Sequence, residues 1–154
     1  MKGHVTIRTS AILLLLSAVL ELAALTSPVA LFGEVRGGML AVVDHLLYAA
    51  LFVAIFTGFW RAKAWAPNVV YGTTALVTLD KLLYVLDARA RAADFAYQTR
   101  AVPGVLDLLD AQLIDRVVIA TSMTVAACWW GFALYIYLRR SYFARPPSRL
   151  GLDA

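Results

Sequence analysis

Residues 39–60 read MLAVVDHLLYAALFVAIFTGFW. The run spans about 33 Å as an α-helix at 1.5 Å per residue, enough to cross a hydrocarbon core of about 30 Å. Lipid offers the backbone no hydrogen-bond partner, so such a run must satisfy its own N–H and C=O groups as a helix. Asp44 and His45 interrupt it. Starting the span after His45 would leave only Leu46–Trp60, too short to cross, so both residues belong to its outer third.

Three further runs have this character: Ala11–Phe32, Val69–Leu86 and Val117–Leu138. Together they predict an all-α polytopic membrane protein. It is a bundle of four transmembrane helices over residues 1–141, with spans at 11–32, 39–60, 69–86 and 117–138 and a flexible cytoplasmic tail at 142–154. Composition agrees. The chain is 62% hydrophobic and 16% charged, with a mean hydropathy of +0.74, well above a soluble domain. Glu21 interrupts the first run near its middle, which reads that run as a retained anchor rather than a cleaved signal.

Composition also excludes functions. The 14 Lys and Arg are scattered, so no basic face for nucleic acid forms. One cysteine, Cys128, leaves no intrachain disulfide and no thiol pair for redox chemistry; it reads as a small buried packing residue. His45 is the one histidine inside a run, so a haem held by two histidines of this chain is excluded. No phosphate-binding glycine loop, His-Glu-x-x-His or Gly-x-Ser-x-Gly stretch occurs, and no cofactor is implied.

The connections are legible. Gly33 and Gly37-Gly38 close the first turn, and RAKAWAP (61–67) the second, with Pro67 suited to a helix start. The third, from Asp87 to Arg116, holds helix-forming residues and an Asp87/Arg91 pair at i,i+4. Pro103-Gly104 breaks it, and VLDLLDAQLIDR (105–116) leads amphipathically into the last run. Eight basic residues (Lys2, Arg8, Arg61, Lys63, Arg139, Arg140, Arg145, Arg149) fall on one side. The other side holds Arg36, Arg89, Arg91 and Arg100, diluted by acids. The positive-inside rule therefore predicts both termini in the cytoplasm, in a bacterial-type plasma membrane. Phe59, Trp60, Trp65, Tyr137, Tyr142 and Phe143 form the expected interfacial belt, and Thr57-Gly58 and Gly72-Thr73-Thr74 suit close helix approach.

The candidate binding or ion-pathway residues are Glu21, Asp44, His45, Asp80 and Lys81. A charge at the bilayer centre costs roughly 2.5–3.5 kcal/mol on insertion scales, so these groups should face inward and pair. Asp80 and Lys81 are consecutive and so 100° apart on a helix, which points them in different directions. The segments Asp44-His45-Leu46-Leu47-Tyr48 and Asp80-Lys81-Leu82-Leu83-Tyr84 echo each other, each placing Asp four residues before Tyr. Asp115/Arg116 reads as an interface pair.

Three functions compete. A structural or accessory membrane protein uses the polar groups to fix helix packing; its partners are the lipid bilayer and a second copy or another membrane protein. A proton, cation or small-solute channel or transporter subunit uses Glu21 and Asp80 as working carboxyls, with Asp44 and His45 at the entrance. A membrane enzyme would build a metal site from the same acids and His45, but no catalytic spacing supports it. The first reading leads because the charges can neutralise one another.

Overall fold

Each apolar run is helical in the computed structural model, which describes residues 4–31, 34–99 and 110–144. The long helices are α1 (His4–Ala23), α2 (Met39–Trp60), α3 (Ala66–Leu86) and α5 (Ala111–Leu138). Two shorter ones are α4 (Ala88–Gln98) and α6 (Ser141–Ala144). Strands β1 (Val29–Leu31) and β2 (Glu34–Arg36) pair antiparallel, Val29 opposite Arg36. The fold is all-α, a four-helix membrane bundle. Four segments are long and apolar enough to cross a membrane: Val5–Ala23, Met39–Trp60, Ala66–Leu86 and Gln112–Leu138. Their outward surfaces agree. Leu13, Leu16 and Leu20 of α1, Leu46 and Leu47 of α2, and Leu134 and Leu138 of α5 are exposed. Water would penalise that much apolar surface, whereas lipid does not.

Several helix bounds differ from the apolar windows. The first helix occupies 4–23 rather than 11–32. Pro28 lacks an N–H and disfavours helical geometry at Ser27, and Val29–Leu31 then pair with β2 instead of extending α1. Helix α5 starts at Ala111, ahead of the window at 117, because the Asp110 side chain caps it by accepting from the Gln112 N–H at 2.8 Å. Residues 141–144, assigned mostly to the tail, form α6. Gly33, the Pro103-Gly104 break, the lead-in at 105–109 and the tail beyond 144 lie outside the described residues.

The chain divides into two compact units. One draws on residues 4–25, 45–73 and 131–144. Its core includes Ile7, Ala11, Ile55, Phe59, Val70, Ile136 and Phe143. Phe59 packs against Phe132 and Phe143 with tilted rings, centroids 5.9 and 5.4 Å apart. Phe59 and Phe143, assigned to the interface belt from sequence, are therefore core; Trp60, Trp65 and Tyr137 remain exposed. The α2–α3 turn is tight. Lys63 N–H donates to the Gly58 carbonyl at 2.8 Å and Ala62 N–H to the Phe59 carbonyl at 3.3 Å. Ala62 takes the left-handed position (φ 47°) that ends such a helix. A Cβ on Gly58 would lie 2.6 Å from the Ala66 Cβ and 3.0 Å from the Trp65 ring, so the close approach requires glycine. A Cβ on Gly72 would meet nothing within 4 Å, so the second small-residue site does not require glycine there.

The other unit draws on residues 26–31, 34–44, 74–99 and 110–130. Ala41, Val77, Tyr84, Ala90 and Ala126 are buried, and α4 packs on both strands. Cys128, expected to be buried, is exposed on α5. In lipid a thiol behaves as a small apolar group, so exposure there carries little penalty.

Candidate functional site

The end of α1 at Ala23 moves Glu21 from mid-span to the helix's last turn. There its Oε2 lies 2.7 Å from Nδ1 of His45, in the second turn of α2. An ionised carboxylate only accepts, so when Glu21 carries its charge the shared proton belongs to Nδ1 of the ring. The His45 side chain is 8% exposed and that of Glu21 28%. Together they form a short polar contact between two helices. Asp44 is half-buried.

Asp80 and Lys81 do not diverge as their 100° separation predicts. Lys81 Nζ lies 2.9 Å from Asp80 Oδ2 and 5.9 Å from the Tyr84 ring centroid. The flexible four-carbon stem of lysine bends its ammonium back over the neighbouring residue. This ion pair closes on α3 alone and does not itself join helices. The Asp80 side chain is 7% exposed, and its Oδ1 has no hydrogen-bond partner among the described residues.

The polar links holding α4 lie elsewhere. Arg91 reaches across to Asp115 of α5, with Nε to Oδ1 at 2.6 Å and Nη2 to Oδ2 at 3.1 Å. Its Nη1 donates to the Val85 carbonyl and, at 3.4 Å, to that of Tyr84. These carbonyls belong to the last turn of α3, where intrahelical donors run out. Tyr84 O–H donates to Asp94 of α4 at 2.7 Å. The sequence assigned Arg91 to Asp87, and Asp115 to Arg116. Asp87 instead caps α4, accepting from the N–H groups of Arg89 and Ala90, and Arg116 is exposed. Hydrogen bonding to Asp115 raises the Arg91 guanidinium above its usual range, against the opposing effect of burial. A visible signal was Asp87 ahead of ARARAADFAYQ, a capping residue before a helix-forming stretch.

A hydroxyl relay ties α5 to α3. Trp130 Nε1–H donates to Thr78 Oγ1 at 3.0 Å, and Thr78 donates to the Thr74 carbonyl at 2.7 Å. The indole N–H, which can only donate, thus finds an acceptor.

Among the described residues, no group of three or more His, Cys, Asp or Glu is placed to hold a metal ion. Comparison with protein-family models, curated proteins and solved structures finds no match. The arrangement can couple helices through ion pairs, and among the described residues it leaves the buried Asp80 Oδ1 without a hydrogen-bond partner.

Proposed function

We propose that this small integral membrane protein has a structural or accessory role, its span polar groups fixing how its helices pack. The observation that carries this reading is the 2.7 Å Glu21–His45 contact, an acid of one span matched by a base of the next. Removing one member of such a pair is costly while removing both is tolerated, which suits fixed packing. The charge distribution supports a bacterial-type plasma membrane with both termini cytoplasmic. The bilayer and a second copy or another membrane protein are its partners.

One observation favours a second reading. Asp80 Oδ1, buried without a hydrogen-bond partner among the described residues, suits a channel or transporter subunit in which Glu21 and Asp80 carry a proton or cation and Asp44 and His45 line the entrance.

The two readings separate in a Glu21→Leu/His45→Leu double variant reconstituted in liposomes. Packing predicts that the double variant recovers stability lost by Glu21→Leu, and that the parent moves neither protons nor potassium above empty liposomes. Parental flux abolished by the stable double variant would establish transport instead.

A further inference from the structure

The unit formed by residues 4–25, 45–73 and 131–144 has an uneven charge balance. Its described residues include five bases, Arg8, Arg61, Lys63, Arg139 and Arg140, and one acid, Glu21. That acid is already matched by His45. A cleft of about 270 Å³ opens in this unit between the start of α3 and the end of α5. Asn68 and Tyr71 line it from α3, and Tyr137 and Arg140 from α5 and the turn beyond. Pro67 and Phe143 supply apolar wall. Arg140 has no carboxylate partner among the described residues. Its guanidinium instead lies 5.1 Å from the Tyr137 ring centroid, a contact that leaves N–H donors available.

We propose that this cleft binds the phosphate headgroup of an anionic phospholipid. A guanidinium, a carboxamide and two phenols match phosphate oxygens, and the guanidinium fork suits them geometrically. The cleft lies where two apolar spans end, the level at which phosphates sit in a bilayer. Exposed Leu134 and Leu138 continue along α5 as apolar surface for acyl chains. A free anion would gain the polar contacts alone; a lipid gains both. The five bases of this unit raise the local concentration of anionic lipid. The inference stands apart from the accessory role, and its failure would leave that reading untouched.

The test is native mass spectrometry of the full chain released from detergent with dioleoyl phosphatidylglycerol, dioleoyl phosphatidylcholine or sodium phosphate. The parent should retain phosphatidylglycerol over phosphatidylcholine by about fivefold or more, the factor expected from one basic residue at an anionic surface. Arg140→Gln should bring that ratio close to one, while Arg89→Gln, on α4, should leave it unchanged. Asn68→Leu, which fills the cleft without removing charge, should lower retention too, so the idea stays open to refutation if Arg140→Gln fails to fold. Equal retention of the two lipids by the parent overturns the proposal, as does an unchanged ratio in a folded Arg140→Gln. Displacement of the lipid by equimolar phosphate would assign the cleft to a free anion and overturn it as well.

Discussion

Replacing either member of the Asp80–Lys81 pair should have very unequal effects. The Lys81 side chain is 31% exposed and that of Asp80 only 7%. In Asp80→Leu the ammonium loses its counter-ion but keeps the Tyr84 ring at 5.9 Å and a stem that can carry it towards water. The expected cost is at most about 1 kcal/mol, within the range of polar contacts measured in membrane bundles. In Lys81→Leu the carboxyl stays buried, with Oδ1 already lacking a partner among the described residues and Oδ2 newly deprived of its own. Orphaning a buried charge typically costs about 3–5 kcal/mol. An unfolded helix held in a membrane or micelle also buries the group, which lowers the expectation to about 2–4 kcal/mol. The Asp80→Leu/Lys81→Leu double variant removes both charges and should recover most of that loss. Reversible unfolding in mixed micelles, driven by increasing dodecyl sulfate and followed by circular dichroism, measures all three against the parent. Equal destabilisation by the single variants, or a larger loss from Asp80→Leu, would refute the burial argument.

Two further outcomes follow from other parts of the fold. Gly58→Ala would drive a Cβ to 2.6 Å from that of Ala66; neither carbon can rotate away, so unfolding in micelles should show a loss of about 1–3 kcal/mol, as overpacking usually costs, and a parental value would show that the turn yields freely. For orientation, a cysteine at exposed Arg89 in a Cys128→Ser background should react with a membrane-impermeant maleimide added outside intact cells, whereas reaction only after the cytoplasmic side is opened would invert the topology.

Length and hydropathy were enough for the class of this protein and for the existence of four spans, because lipid leaves an apolar run of this length one backbone solution. Residues 39–60 needed no tertiary information: window and helix coincide. The candidate acids were legible for the same reason, since a carboxyl inside such a run is conspicuous. Their partners were not. Glu21 reads as mid-span until Pro28 and the β1–β2 pairing end α1 early. Only then does it stand in the last turn, where His45 meets it. Sequence neighbours suggested Asp87 for Arg91 and Arg116 for Asp115, yet Asp87 satisfies backbone N–H groups at a helix start. Arg91 consequently crosses to Asp115, 24 positions away. Proximity along the chain ranks local pairs first, but a helix turns consecutive residues 100° apart and its ends leave backbone groups that compete for the same side chains. Which acid meets which base is therefore set by helix ends and packing, and those were decided by the tertiary structure.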